Sequence, residues 1–398
     1  MKLYRIEIME SGKVNDYYWY WLCNIPGIGR AKMNILLDEF GDARNVYQSD
    51  FDTHNAPYGI SRTDIVHINE AKRDNKIYEE FCALADNNIT FVHRQSDLYP
   101  RRLKNIPDAP VALYMRGRCV DDDAVTAAVI GARGCSEYGR QTAYNLGRSF
   151  AYMGIQVVSG MALGIDAAGQ RGCLDGGGMS AAVLGCGVDV CYPRENIELY
   201  SKLIERGGII SEYHPCSKPN KGAFPERNRI ISGLADVVIV VEARKRSGSL
   251  ITVDQALEQN KEIMAVPGRI DDPLSAGCNE LIKMGAMLIT CADDIKQIDA
   301  VRQWVEKRLE QEKNNFKIGK TQCQNDFQKD CVDNSDTNLL ASKKNMVYST
   351  TNLYPKDIDT IIKESGLDIS VVSQQLFELQ LQGAVKEVGK NCYVRCSI

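Results

Sequence analysis

Six short β-branched runs, each ending in small residues and each followed by a helix-like stretch, constrain this chain more than any other feature. They are VTAAVIG from Val125 to Gly131, IQVVSG from Ile155 to Gly160, SAAVLG from Ser180 to Gly185, GIIS from Gly208 to Ser211, DVVIVVEA from Asp236 to Ala243 and EIMAVPG from Glu262 to Gly268. Continuous apolar runs without polar alternation mark strands covered on both faces, and regular strand–helix alternation makes a parallel sheet. The expected class is therefore α/β, a Rossmann-like, doubly wound and mostly parallel sheet. In such a sheet ligands gather outside the carboxyl ends of the strands.

Outside this stretch the periodicity changes. Tyr17 to Phe40 reads as helix, turn, helix around Ile25-Pro26-Gly27-Ile28-Gly29, and further helical segments run to about Asn88. After Ile298 one helical stretch reaches about Lys313, and the next 25 residues lose apolar periodicity like a flexible linker. Tyr354 to Ser365 and Ile369 to Gln382 then read as two amphipathic helices, with Ala384 to Arg395 a hairpin about Gly389-Lys390. That order is the winged helix-turn-helix pattern. The expected organisation is a helical domain over 1–90, a Rossmann-like domain over 91–300, a helical stretch and linker over 301–345 and a winged-helix domain over 346–398.

A dinucleotide fingerprint needs Gly-x-Gly-x-x-Gly after the first strand and an acid at the end of the second. Here the first loop is Gly131-Ala132-Arg133-Gly134, with Gly139 opening the helix, and the second strand ends in Ser159-Gly160. Glycine still permits close backbone approach, the helix N-terminus offers free N–H groups, and Arg133 adds a cation. These residues suit an anion and not a nicotinamide, so no cofactor is expected. Ser159-Gly160, Gly185-Cys186-Gly187 and Ser247-Gly248-Ser249 repeat the chemistry at later strand ends. One such loop alone is a tight turn; several on one sheet edge suit a ligand with a row of phosphates.

The chain as a whole is acidic, with 48 Lys+Arg against 52 Asp+Glu and a formal charge of −4. That excludes a protein that coats polyanions with its entire surface. Yet Lys218 to Arg246 holds seven Lys and Arg against three acids, and Phe224 stands between Lys221 and the pair Arg227 and Arg229. Cations that follow a backbone, with an aromatic face for an unstacked base, are what a single strand requires. The 14 cysteines include no Cys-x-x-Cys pair, and His54, His67, His93 and His214 have no metal spacing, so neither a disulfide framework nor a metal site is expected. No apolar run approaches a bilayer span, and Glu7, Glu10, Lys13 and Asp16 interrupt the N-terminal apolar residues, so a cytoplasmic protein without membrane contact is expected. No catalytic triad, P-loop lysine or carboxylate pair can be assembled from the motifs, and no enzyme activity is expected.

The segments LYPRRLKNIPDAPVALYMRG, VIGARGCSEYGRQTAYNLGR, VVSGMALGIDAAGQRGCLDGGG, AVLGCGVDVCYPREN, GGIISEYHP, FPERNRIISGLADVVIVVEARKRSGSLITVDQALEQNKEIMAVPG and SAGCNELIKMGA, in one order from Leu98 to about Asp294, resemble the DNA-processing protein A (DprA/Smf) family. The resemblance implies a SAM-like or helix-hairpin-helix-like domain before the core and a winged helix after it. It implies a protein that binds single-stranded DNA, protects incoming strands and loads the RecA recombinase on them in natural transformation, as a homodimer built through the central domain. By motif position the DNA pocket would comprise Gly131, Arg133, Ser159, Gly160, Lys221, Phe224, Arg227, Asn228, Arg229, Ser247, Gly248 and Ser249, with Asp166 in the GID element. Gly169-Gln170 stands where relatives have Ala-His, and glutamine can neither titrate nor act as a general base.

Three alternatives accompany that expectation. The Ile25–Gly29 hairpin, with Arg30 and Lys32, fits either one backbone phosphate or a structural turn in a protein-contact domain. The recognition position of the winged helix, ISVVSQQLFELQLQ, has no basic residue and one acid, Glu378, so it suits protein contact better than duplex reading; Val371, Val372, Leu376, Leu379 and Leu381 have core spacing. A different class, nucleotide-processing enzymes of the phosphoribohydrolase kind, shares a similar Rossmann-like domain, but its Pro-Gly-Gly-x-Gly-Thr loop is replaced here by SGSLIT.

Overall fold

The aromatic run near the N-terminus has no polar face, so a helix built from it is stable only when surrounded. In the computed structural model, which describes residues 11–50, 57–308, 310, 346–351, 356–381, 384–389 and 392–395, Tyr17, Trp19, Tyr20, Trp21 and Leu22 are buried on helix α1 (Ser11–Cys23). Helices α2 (Arg30–Phe40), α3 (Ala43–Gln48), α4 (Arg62–Arg73) and α5 (Asn75–Asp86) follow. They share one core with one face of the sheet, including Ala182, Leu184 and Ile209. Trp19 stacks flat on His93 of strand β1 (Thr90–His93) at 4.7 Å. The chain divides into two compact units, Met1–Glu312 and Lys313–Ile398.

Each β-branched run is a strand. After β2 (Ala112–Gly117) come β3 (Thr126–Ile130), α6 (Glu137–Met153), β4 (Gln156–Ser159), α7 (Ile165–Asp175), β5 (Ser180–Leu184), α8 (Ile197–Arg206), β6 (Gly208–Ser211), α9 (Ala223–Leu234), β7 (Val237–Val240), α10 (Gly248–Glu258), β8 (Glu262–Ala265), α11 (Ala276–Lys283) and β9 (Met287–Leu288). The sheet order is β1-β2-β6-β5-β4-β3-β7-β8-β9, parallel from β6 to β9, with β1 and β2 antiparallel additions at one edge. Ala127 and Val129 pack toward α6 and α7 while Ala128 and Ile130 pack toward α9, the period of two that a doubly covered strand requires. The strand order reverses between β3 and β7, which makes their carboxyl ends the switch point where ligands bind in such sheets.

The second unit has strand β10 (Lys356–Asp357), helices α12 (Ile358–Ser365) and α13 (Ile369–Leu381), and a hairpin of β11 (Val385–Gly389) and β12 (Cys392–Arg395), paired β10-β12-β11. The first helix was expected from Tyr354. It begins at Ile358, because Asp357 accepts the Thr360 N–H at 2.9 Å as N-cap while Lys356 and Asp357 extend the sheet. Val372, Leu376 and Leu379 are buried and Val371 half-buried; the Leu381 side chain and the linker expected before this unit lie outside the described residues. The helical stretch expected after Ile298 is present over 299–308.

Candidate nucleic-acid interface

At the switch point the loops leaving β3, β4, β5 and β7, with the start of α9, enclose a cleft of about 700 Å³. Gly131, Arg133, Lys221, Phe224, Arg227, Asn228, Ser247, Gly248 and Ser249 all line it, so residues more than 100 positions apart in sequence meet in space. A Cβ on Gly131 would lie 2.7 Å from Ile165 and 2.8 Å from the Glu242 carbonyl, so only glycine lets this loop close over α7. Gly164 takes a left-handed φ of 82° at the start of α7 with the Ala132 carbonyl against it.

Three residues expected at the site are not at the cleft surface. Ser159 is fully buried and donates its hydroxyl to the Val129 carbonyl at 2.6 Å, tying β4 to β3. Gly160 lies just beneath: its N–H donates to Asp166 at 3.2 Å and its carbonyl accepts from Arg227 at 2.8 Å. Arg229 faces away from the cleft and pairs with Glu212 at 2.5 Å. Residues two apart on a helix do not share a face, so α9 can present Arg227 to the cleft or Arg229, but not both.

The lining is a set of cations around an aromatic pair. Tyr192 and Phe224 stack at 5.6 Å with 29° between their planes, and the Arg133 guanidinium sits 5.2 Å from the Phe224 ring. Arg133, Lys221, Arg244 and Arg246 are exposed and form no ion pair among the described residues. Arg227 is the buried member. Burial lowers its pKa to about 10, opposed by Asp166, so it remains charged at neutral pH. Burial likewise raises the Asp166 carboxyl, against the pull of Arg227 and the Gly160 N–H. Unpaired cations with an aromatic platform, in a cleft whose one acid is already engaged, attract phosphate and leave a face for a base.

Not every helix N-terminus here is open to an anion. Glu242, at the end of β7, accepts the Ser136 N–H at 2.8 Å and the Ser136 hydroxyl, while Ser136 itself caps α6 through the Gly139 N–H at 3.0 Å. The start of α6, expected to offer free N–H groups, is therefore filled by a carboxylate of the protein. The start of α10 is different: Ser247 caps it through Ser249, and Ser247, Gly248 and Ser249 face the cleft. In the N-terminal hairpin both cations are also engaged. Arg30 pairs with Asp108 at 3.4 Å and Glu212 at 3.9 Å, and Lys32 with Asp64 at 2.7 Å, as a structural turn would have them.

Sequence reasoning missed Tyr192, Arg244 and Arg246 as site members. All three lie on loops at the carboxyl ends of β5 and β7, which the strand pattern already identified as the ligand edge. Gln170 is fully buried. Its Oε1 accepts the Met161 N–H at 3.1 Å and its Nε2 donates to the Ala181 carbonyl at 2.9 Å, which holds the β4–α7 loop against β5. Among the described residues no group of three His, Cys, Asp or Glu is gathered to hold a metal.

Comparison with known proteins agrees with this architecture. A family model described as DNA recombination-mediator protein A matches residues 90–298, and one described as the DprA winged helix domain matches 336–389. The chain is 42% identical to DNA processing protein DprA of Streptococcus pneumoniae over 239 residues, 58% of this chain and 84% of that one. It is 40% identical to Protein Smf of Escherichia coli over 220 residues, 55% of this chain and 59% of that one. The X-ray structure of the S. pneumoniae protein superposes with a TM-score of 0.57 at 32% identity, covering 71% of this chain and 97% of that one. With the family model spanning more than half of its length, the chain belongs to the DNA recombination-mediator protein A (DprA/Smf) family.

Proposed function

We propose that this protein is a non-enzymatic, single-stranded DNA-binding mediator that protects incoming strands and loads a RecA recombinase on them in natural transformation and recombination. The observation that carries the proposal is the cleft at the switch point, where Arg133, Lys221, Arg244 and Arg246 stand without acidic partners among the described residues around the Phe224–Tyr192 pair. Phosphates would lie along the cations and the start of α10, with bases against the aromatic faces. Family membership supports the recombinase as protein partner and a homodimer built through the central domain. Among the described residues no helix is long and apolar enough to cross a membrane, in keeping with work in the cytoplasm. In this reading residues 1–90 form a helical domain, 91–300 carry the DNA, 301–345 connect and 346–398 contact protein.

The test is an anisotropy titration of labelled oligo-dT across a salt series. Arg133→Ala and Lys221→Ala should each weaken binding and flatten the slope of log affinity against log salt by about 0.7, the value for one phosphate on a single strand. Unchanged affinity and slope in both variants would remove the cleft from consideration.

A further inference from the structure

A second cleft, of about 310 Å³, lies beyond the loop that forms one wall of the first. The two share the β4–α7 connection: Ala162 lines the first, and Leu163 and Gly164 the second. That connection is held from both sides. Gln170 takes the Met161 N–H, and buried Asn196 donates to the carbonyls of Met161 at 2.9 Å and Ala162 at 3.4 Å. Met161, a non-glycine residue, keeps a left-handed φ of 52° there. The ridge is thus fixed, and it presents Leu163, 39% exposed, between the clefts.

The cations continue across the ridge. Arg133 and Arg140 lie on the same β3–α6 connection, the first in the loop and the second in the opening turns of α6; Arg140 lines the second cleft and Arg171 of α7 faces it there. Arg140 spends only its Nε, on Glu137 at 3.3 Å, and Arg171 one terminal nitrogen, on Asn196 at 3.0 Å. A guanidinium has five N–H donors in a fixed fork, so both side chains keep donors for a phosphate. The acid within the second cleft is Glu195, and Tyr144 is turned to Asp175 at 3.2 Å.

We infer that a single strand leaving the first cleft crosses the Ala162–Leu163 ridge and seats its next phosphates on Arg140 and Arg171. The inference rests on the single-strand reading above and gives the strand a course over the α6–α7 side of the sheet. Leu163 offers an apolar surface to the base that crosses, and the two arginines extend the row begun by Arg133. The strand occupies more nucleotides than the first cleft holds, and the additional ones depend on cations that the first cleft does not use.

The experiment compares two labelled oligo-dT lengths, about 5 and about 20 nucleotides, one near the short end and one beyond the long end of the roughly 4 to 16 that a single-strand site occupies. Full-length protein is titrated as the parent, as Arg140→Glu with Arg171→Gln, and as Lys221→Ala, with thermal melting to confirm that each variant is folded. The double variant should bind the long oligonucleotide about tenfold more weakly, with its salt slope flattened by about 1.4 for two phosphates, while the short oligonucleotide binds as before. Because Arg171 also holds Asn196, Arg140→Glu alone is measured in parallel and should show the same selective loss in smaller measure. Unchanged affinity and slope for the long oligonucleotide overturn the inference, as does an equal loss for both lengths. If the parent binds neither oligonucleotide, the single-strand reading itself falls and takes this extension with it; if only Lys221→Ala weakens both lengths, that reading stands and the second cleft does not.

Discussion

Arg227 and Arg229 stand two residues apart on α9 and serve different ends, one beneath the candidate cleft and one in an ion pair with Glu212 and, through it, with Arg30 of the helical segment. The sequence shows both as cations beside Phe224, and composition cannot separate them; the helical turn does, because side chains at i and i+2 diverge. That Gly131, Arg133 and the Ser247–Ser249 loop would meet at one edge was legible because they follow strands of one parallel sheet, and Lys221 because it stands beside Phe224 in the sequence. Tyr192 was not, since its partnership with Phe224 arises only when the loop after β5 meets the first turn of α9. Phe224→Ala should cost about 1 to 3 kcal/mol of oligo-dT binding, the worth of one stacked base, measured by anisotropy. Arg229→Ala should leave oligo-dT binding intact and destabilise the fold by about 2 kcal/mol in urea titration at neutral pH, since it leaves the half-buried Glu212 carboxylate with Arg30, 3.9 Å away, as its remaining cation among the described residues. Burial already raises Glu212, with Arg229 the main group opposing it, so removal of Arg229 raises it further. A carboxyl raised in the folded state favours folding below its ordinary value of about 4.3 and loses that contribution as pH rises through the folded value. The deficit of Arg229→Ala should therefore be greatest near neutrality and shrink on acidification; a deficit independent of pH would contradict this role for Glu212.

Strands and helices were the most legible level, because each β-branched run is covered on both faces and nothing competes with its burial. The two antiparallel strands β1 and β2 stood outside the repeating pattern, as neither leads into a Gly/Ser loop and helix. What the pattern could not show is which helix starts are already satisfied. Glu242 fills the start of α6 from a distance of 106 residues, and only the sheet brings it there. Gln170 acts on the same level: Gln170→Leu removes the partners of the Met161 N–H and the Ala181 carbonyl and should cost about 2 kcal/mol in denaturant titration. In the helical segment Asp64 completes a capping box with Ser61 at the start of α4 and takes Lys32 from α2. Burial opposes its charge, but the bonds from Lys32 and Ser61 prevail and hold its pKa below the usual carboxylate range. Its contribution is present above the ordinary value of about 3.9 and is lost as pH falls through the folded value, so Asp64→Asn should flatten the acid limb of the stability profile.

Taken as a total, a formal charge of −4 argues against nucleic acid. The fold resolves this by gathering cations with no acidic partner among the described residues at one switch point, while Arg30, Lys32, Arg102 and Arg229 pair with acids elsewhere. Charge distribution, not total, sets where a polyanion binds. The second compact unit has its own core of Val347, Ile361, Val372, Leu376 and Leu379, and α13 carries no Lys or Arg. Deleting residues 313–398 should leave oligo-dT affinity and salt slope unchanged, as measured by anisotropy on the shortened chain. The most direct test of the central claim is a crystal structure with oligo-dT bound. Phosphates should lie between Arg133, Lys221 and the start of α10 with a base against Phe224 or Tyr192; a strand bound elsewhere, with this cleft empty, would contradict the single-strand reading of the cleft.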